Sequence, residues 1–189
     1  MHVGLLGTGT VGETLGSAFV GLDLVVCMGS RSTPNDRAQA WVAAQGDTAG
    51  AGTFAEAFAV GDVVFKCTCG AHSLEALRVA GADALAGKVP VDVANPLDFS
   101  DGSPPRLAVV GDDSLAGQIQ LAFALTQVVK APVIDLLTEL GWSRGRVRDL
   151  GGVAAARATE MYLMLWVSLM GAVGSAQFNV RVVATESSE

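Results

Sequence analysis

Residues 2–12 read HVGLLGTGTVG, and this stretch decides the fold. His2–Leu6 is a short apolar run, and glycines follow it at positions 7, 9 and 12. Apolar residues then recur every four positions, as on one face of a helix, at Val11, Leu15 and Phe19. A second apolar run, Leu24–Met28, comes next. The stretch therefore predicts a strand, a glycine turn, a helix and a second strand within one short unit.

Short apolar runs and helical patterns continue to alternate along the chain. The patterns predict further strands at Val63–Cys67, Val89–Val93 and Val128–Lys130. They predict further helices at Arg37–Ala44, Ser73–Ala80, Leu115–Leu125, Val133–Leu140 and Val153–Ala172. Because the strands are apolar on both faces, we expect an α/β fold with a parallel sheet covered by helices on both faces. The 189 residues fit a single domain, with 151–189 as its C-terminal helix and tail.

Composition and charge exclude several classes of protein. Lys plus Arg number 12 and Asp plus Glu number 19, which gives a net charge of −7. Since binding to a nucleic acid duplex needs a basic face, nucleic acid is not expected as a partner. The 3 cysteines are too few for a disulfide framework, and the N-terminus lacks the basic region of a signal peptide. The apolar stretch Met161–Ala176 is shorter than the roughly 20 residues of a membrane span, so we expect a cytoplasmic protein without a membrane partner.

The glycines after the first strand form a complete G-x-G-x-x-G fingerprint. Gly7 permits a tight turn, Gly9 lets the backbone approach a pyrophosphate, and Gly12 lets the helix pack closely on the sheet. The start of the following helix offers free amides and a partial positive charge to phosphates. In this strand–turn–helix context the fingerprint predicts a Rossmann-type site for NAD(P), whereas the fingerprint alone would fit any glycine-rich turn.

The end of the second predicted strand indicates which dinucleotide binds. An NAD site carries an acid about 20 residues beyond the fingerprint, but no carboxylate lies between Asp23 and Asp36. Ser30 and Arg31 stand there instead, and a guanidinium suits the 2′-phosphate of NADP. Arg37 could add a second cation. The sequence therefore favours NADP, although Arg31 could also be a solvated loop residue.

The segment Cys67–His72 follows a predicted strand, at the sheet edge where ligands bind in this architecture. Its two thiols and one imidazole suggest zinc, but structural zinc needs four ligands and the sequence has no second cysteine pair, so no metal is expected. We expect Cys67 and Thr68 to line the pyrophosphate or the nicotinamide ribose. His72 would either cap the next helix or border the nicotinamide pocket.

Two further segments have both a functional and a structural interpretation. Asn95 follows another predicted strand and can bind a carboxamide, or it can stabilise a turn. The helix Val153–Ala172 is apolar on nearly all sides, which implies burial within the fold or against another subunit. We expect its large residues in the core, namely Met161, Met164, Trp166 and Met170. We expect Arg157 and Glu160 to form a local ion pair.

The inventory of acid–base residues is poor. There are only 2 histidines, and no Ser-His-Asp or Cys-His arrangement is evident. Reduction of a ketone or an imine needs a proton donor, for which His72 is the one weak candidate. Hydride exchange between two ring cofactors needs only that the rings be held face to face, so no catalytic side chain is required.

Four stretches of the sequence resemble the NADP oxidoreductases that depend on coenzyme F420, an 8-hydroxy-5-deazaflavin. They are VGLLGTGTVGETLGSAF, MGSRS, DVANPLDFS and ARATEMYLMLWVSLMGAVGSAQFNVRVV. The resemblance covers nearly the whole chain and is strongest to the bacterial NADPH-dependent reductases of that group. It implies hydride transfer between NADPH and a flavin-like acceptor, in a pocket partly closed by the C-terminal helix and often within a homodimer.

The resemblance also implies roles for individual residues. It makes NADP contacts of Gly7, Thr8, Gly9, Thr10, Val11, Gly12, Ser30 and Arg31, and it places Thr68, Asn95 and Pro96 near the pyrophosphate and nicotinamide. One departure is that family members usually have a further segment with a strand after the position of Lys130, where this chain reads Ala131-Pro132. Either that segment is absent from this chain or Lys130 and Ala131 are not directly joined.

The sequence thus predicts an NADP-dependent oxidoreductase that passes a hydride between NADPH and F420 or a flavin. One alternative is an NADPH-dependent imine or ketone reductase. The other is a domain that binds NADPH without catalysis.

Overall fold

The computed structural model describes residues 1–81, 88–102, 105–109, 114–122 and 130–180. Five strands form one sheet in the order β3-β2-β1-β4-β5, and every neighbouring pair is parallel. The strands are β1 (His2–Leu6), β2 (Val25–Ser30), β3 (Ala49–Thr53), β4 (Val63–Lys66) and β5 (Val89–Asp92). This order is that of a Rossmann-type sheet, and it confirms the predicted fold class.

Seven α-helices are described. They are α1 (Thr10–Val20), α2 (Asp36–Gln45), α3 (Phe54–Val60), α4 (Ser73–Ala80), α5 (Leu115–Ala122), α6 (Ala131–Glu139) and α7 (Ala156–Val173). A 3₁₀ turn at Gly70–His72 leads into α4, and two short strands, β6 (Leu97–Asp98) and β7 (Arg106–Leu107), pair antiparallel after β5. Of the described helices, none is long and apolar enough to cross a membrane.

The core lies on both faces of the sheet, because successive strand residues point to opposite sides. On one face Leu6 of β1 packs with Phe58 of α3, Leu77 of α4 and Ile119 of α5. On the other face Val3 and Leu5 pack with a second set, Phe19 of α1, Trp41 of α2 and Leu136 of α6. The helices therefore cover the sheet on both sides, and the strand ends remain to form a site.

The helix after the fingerprint packs differently from the prediction. Its buried residues are Gly12, Gly16 and Phe19, whereas Val11 is 49% exposed. Gly16 is buried because Trp41 and Leu5 fill the place of a side chain, with Trp41 only 2.7 Å from where a Cβ would stand. The buried face of α1 was misassigned because glycines carry no hydrophobic signal. Two glycines, Gly12 and Gly16, nevertheless lie on the face of α1 that packs against the rest of the fold.

The strand predicted at Val128–Lys130 is wrong at its last residue. Lys130 has helical dihedral angles, and its carbonyl accepts a hydrogen bond of 3.0 Å from the Ile134 amide. Lys130 is therefore the N-cap residue of α6 and not the end of a strand. Val128, Val129 and the end of the helix predicted at Leu115–Leu125 lie outside the described residues.

The long C-terminal helix is not buried within this chain. Met161, Leu165 and Val173 are 54%, 52% and 58% exposed, and Glu160 is the buried residue of α7. The expectation that Met161 lies in the core is therefore wrong, whereas Met164, Trp166 and Met170 are half-buried. Apolar composition predicted the helix, but it could not show which of its residues face the core of this chain.

Candidate active site

The fingerprint turn has the geometry that its glycines predict. Gly7 has a φ of +126°, and a Cβ there would lie 2.9 Å from the Cys67 carbonyl oxygen. A Cβ at Gly12 would lie 2.2 Å from the Gly7 carbonyl oxygen. Both positions therefore exclude a side chain, whereas a Cβ at Gly9 would meet nothing within 4 Å. The turn is closed on its protein side and open at Gly9.

The first turn of α1 is free to bind an anion. Gly9 is the N-cap residue and makes no side-chain capping bond, and the amides of Thr10, Val11 and Gly12 precede the first intrahelical donor. The Gly7 amide, by contrast, is used to donate to the Gly29 carbonyl oxygen on β2 at 3.0 Å. Amides at a helix start favour phosphate through their N–H groups and the helix dipole.

A buried hydroxyl without a partner lies beside this turn. The Oγ1 atom of Thr68 has no hydrogen-bond partner among the described residues. Its backbone nitrogen would be 3.1 Å from a Cβ at Gly7, so Thr68 is packed against the turn. An unpaired buried hydroxyl is costly unless a ligand or water pairs with it. The open turn, the free amides and this hydroxyl fit the pyrophosphate half of a dinucleotide.

The three side chains predicted to meet the 2′-phosphate have different surroundings. Ser30 is buried, and its hydroxyl donates to the Ser32 carbonyl oxygen at 2.6 Å. Arg31 is exposed and has no ion pair with any described residue. Arg37 donates from Nε and Nη2 to both carboxylate oxygens of Glu13, at 2.5 and 3.0 Å, and this hydrogen bonding lowers the pKa of Glu13. Arg31 is thus the free cation of the loop.

The loops after β4 and β5 pack directly on each other. A Cβ at Gly70 would lie 2.4 Å from the Asn95 carbonyl oxygen, and Pro96 is fully buried beside it. Asn95 and Thr68 are thereby held at one edge of the sheet. His72 is exposed and occupies the N-cap position of α4, as one of its two predicted roles requires, but its side chain makes no capping hydrogen bond.

The cysteines of the β4 loop differ in burial. Burial raises the pKa of the Cys67 thiol to about 12, and Cys69 is exposed. The described residues contain no cluster of three or more His, Cys, Asp or Glu side chains that could hold a metal ion.

A cavity of about 210 Å³ opens at the carboxyl end of β5. The end of β5, the segment that follows it, and the first turns of α5 and α7 line the cavity, with the residues Asp92, Val93, Ala94, Asn95, Ala116, Ala156, Thr159 and Glu160. Because parallel strands end at the same edge of a sheet, this cavity and the fingerprint turn share that edge. We refer to it as the β5 cavity.

The chain matches one family of enzymes. Residues 2–96 match the family model for coenzyme F420-dependent NADP oxidoreductases. A solved structure of a candidate F420-dependent NADP-reductase from Arthrobacter sp. FB24 is 36% identical, with a TM-score of 0.88 over 97% of this chain and 100% of that one. The chain belongs to the coenzyme F420-dependent NADP oxidoreductase family.

A more distant solved structure shares little sequence with the chain. The NADP-bound pyrroline carboxylate reductase of Plasmodium falciparum is 11% identical, with a TM-score of 0.39 over 90% of this chain and 79% of that one. No curated protein matches the chain.

Membership of the family makes this protein an NADP-dependent oxidoreductase. It confirms the prediction of NADP, which rested on the absence of an acidic residue from the loop after β2. The roles of individual residues stay predictions, and the structure brings Gly7, Gly12, Cys67 and Thr68 together around the fingerprint turn.

Two buried charged groups of this NADP-dependent oxidoreductase were missed by the sequence reasoning. The first is Lys66, whose Nζ donates to the Ser73 hydroxyl at 2.6 Å and lies 2.8 Å from Asp92 Oδ1. Burial lowers the pKa of Lys66, and the Asp92 charge opposes that shift. Opposite charges at the ends of two adjacent apolar strands could have indicated this pair. It lines a second cavity, of about 460 Å³, between β5 and α6.

The second is Glu160, which sequence spacing assigned only to an ion pair with Arg157. The pair exists at 3.7 Å, but the Oε1 atom of Glu160 also accepts a hydrogen bond of 2.7 Å from the Leu115 amide. That amide begins α5, 45 residues earlier in the chain. A contact between a side chain of one helix and the backbone of another leaves no local pattern in the sequence, so residue spacing could not predict it.

Proposed function

We propose that this oxidoreductase transfers a hydride between NADPH and a deazaflavin of the F420 type, with a flavin as the alternative acceptor. The observation that carries the proposal is the match to a candidate F420-dependent NADP-reductase along 97% of the chain. The geometry supports it, because the fingerprint turn and the β5 cavity open at the same sheet edge and offer places for two ligands.

The predicted cofactor contacts follow the sheet edge from β2 to β5. Backbone groups of the turn, from Gly7 and Thr8 through Gly9, Thr10 and Val11 to Gly12, would hold the pyrophosphate. Arg31 would bind the 2′-phosphate, with Ser30 shaping the loop through its bond to Ser32 and Arg37 contributing beside Glu13. The nicotinamide half would lie against Cys67 and Thr68, then Asn95 and Pro96.

Bound NADPH would supply the hydride, and solvent would supply the proton that completes the two-electron reduction of the acceptor ring. The residues of this chain then need to orient two planar rings and exclude water between them. The tight packing of Gly70 on the Asn95 carbonyl fixes the edge that both rings would share. No side chain of the described edge has to give or take a proton at the reacting carbon.

We propose in addition that residues 1–189 act as one dinucleotide-binding domain. The C-terminal segment would close the acceptor side of the site, since Ala156, Thr159 and Glu160 of α7 line the β5 cavity. The exposed apolar face of α7 would join two copies of the chain as a homodimer.

A direct assay tests the acceptor. Purified protein is mixed with NADPH and oxidised F420, and the loss of the deazaflavin's visible absorbance is followed, with FMN in a parallel reaction. Rapid bleaching of F420 and slow or absent reduction of FMN is the expected result. If NADPH binds and neither ring is reduced, the acceptor proposal is wrong and a binding domain without catalysis is the better description.

A further inference from the structure

Glu160 is a buried carboxylate with one oxygen used and one unused. It is 7% exposed, and its Oε1 accepts from the Leu115 amide at 2.7 Å and from the Ala116 amide at 3.4 Å. Its Oε2 has no hydrogen-bond partner among the described residues. The side chain lines the β5 cavity. A buried acceptor without a donor costs free energy unless a ligand supplies the donor.

Neighbouring groups hold this carboxylate in place. Nη1 of Arg157 is 3.7 Å from Oε2, beyond hydrogen-bonding distance, and it donates instead to the Val109 carbonyl oxygen at 3.0 Å. The α5 amides fix Oε1, so the carboxylate cannot turn without losing its bond to Leu115. Oε2 is thereby a fixed acceptor that is paired in charge with Arg157, whose Nε likewise has no hydrogen-bond partner among the described residues.

The β5 cavity has the size and chemistry for the polar edge of one planar ring. Its volume is about 210 Å³, and its other polar side chains are Asp92, Asn95 and Thr159. Asp92 is partly exposed, and its Oδ1 is engaged both by Lys66 and by the Ala94 amide. Glu160 is therefore the buried carboxylate that lines the cavity, and its Oε2 makes no hydrogen bond within the described part of the chain.

We propose, on the basis of the proposed function, that Glu160 Oε2 accepts a hydrogen bond from a neutral N–H donor on a bound planar ring. Two rings in the reaction carry such a donor next to a carbonyl group. One is the carboxamide of the nicotinamide, and the other is the imide N–H of the acceptor's pyrimidinedione. A site built around a fixed acceptor strongly rejects an analogue that lacks the N–H.

Equilibrium binding with paired ligands tests the inference and separates the two rings. One pair is NADPH and its 3-acetylpyridine analogue, in which a methyl ketone replaces the carboxamide. The other pair is the deazaflavin and its N3-methyl derivative. We expect the wild-type protein to bind the N–H ligand at least tenfold more tightly than its analogue in one of the pairs. The pair that shows the difference identifies the ring.

Glu160→Gln is the decisive variant. It keeps the side-chain volume and an oxygen for the Leu115 amide, but it turns an N–H₂ group toward the cavity. We expect the ligand discrimination to disappear in this variant. The melting temperature should fall, because Arg157 loses its charge partner, so a wild-type circular dichroism spectrum at the assay temperature is needed to show that the variant is folded. Glu139→Gln, an exposed carboxylate on α6, removes the same charge elsewhere and should leave the discrimination intact.

Equal affinities within both pairs for the wild-type protein would overturn the inference, whatever the variant does. Unchanged discrimination in Glu160→Gln would also overturn it. Failure of the proposed function looks different, because F420 would then be neither bound nor reduced while the NADPH pair could still be measured.

Discussion

At the scale of single residues, the candidates for ligand contact are distinguished by whether a charged or polar group already has an ionic or hydrogen-bonding partner. Arg37 is paired twice with Glu13, whereas Arg31 has no ion pair among the described residues. The same distinction separates the two oxygens of Glu160. A residue with its bonding capacity unsatisfied at a sheet edge is a better candidate for ligand contact than a residue of the same type that is already paired.

We predict that Arg31→Ala weakens NADPH binding roughly tenfold or more and leaves NADH binding unchanged. A charge-assisted hydrogen bond contributes about 1.5–3 kcal/mol, and the 2′-phosphate exists only in NADPH. Titration of both nucleotides by fluorescence measures the effect. Arg78→Ala, an exposed arginine on α4, is the control. An equal loss for NADPH and NADH would show that Arg31 does not read the 2′-phosphate.

We predict that iodoacetamide labels Cys69 and spares Cys67 between pH 7 and pH 9. The thiolate is the reactive form, and burial raises the pKa of Cys67 to about 12, so this thiol stays protonated over that range. Burial also raises the pKa of Cys27. Peptide mass spectrometry measures the labelling, and Cys69→Ser should abolish it in the folded protein. Labelling of Cys67 at an equal rate in native conditions would contradict the burial of this residue.

At the scale of elements, α1 starts directly on the fingerprint turn, where we propose that the pyrophosphate binds. We predict that Gly12→Ala destabilises the protein and abolishes NADPH binding, because its Cβ would lie 2.2 Å from the Gly7 carbonyl oxygen. Helix propensity alone predicts the opposite sign, a gain of up to about 1 kcal/mol. Thermal unfolding and NADPH titration measure both effects.

Gly9→Ala is the matched comparison for the turn. Its Cβ would stand in open space, so we expect the melting temperature to be preserved while NADPH binding weakens. If Gly12→Ala proved as stable as the wild type, the close contact between α1 and the turn would be wrong.

Patterns of apolar residues predicted β1, β2, β4, β5 and the Ser73–Ala80 helix, because burial on both faces leaves a continuous hydrophobic run. The same reasoning missed β3, whose residues AGAGT carry little hydrophobic signal although they pair in register with β2. Backbone pairing with β2 places this strand in the sheet, and such pairing leaves no pattern in the side chains. The fingerprint turn was predictable since its glycines are local, but Glu160 was not, because its partner is the backbone of α5.

At the scale of the whole molecule, the parallel topology collects groups from distant parts of the sequence. Gly7, Thr68 and Asn95 each follow a strand and so meet at one edge of the sheet. The helix α7 reaches this edge with its first turns and leaves its remaining length largely exposed. Residues that line the β5 cavity and a large apolar surface thus belong to a single helix.

That surface has the spacing of a helix–helix seam. The spacing between its exposed positions alternates between three and four residues, at Ala158, Met161, Leu165, Ser168 and Ala172. Exposed apolar surface of this kind marks an interface, so we predict a homodimer by sedimentation equilibrium and a monomer for Leu165→Glu. Val79→Glu, at an equally exposed apolar site on α4, should remain dimeric. If the wild-type protein sediments as a monomer, the dimer prediction is wrong and the exposed face of α7 does not join two copies of this chain.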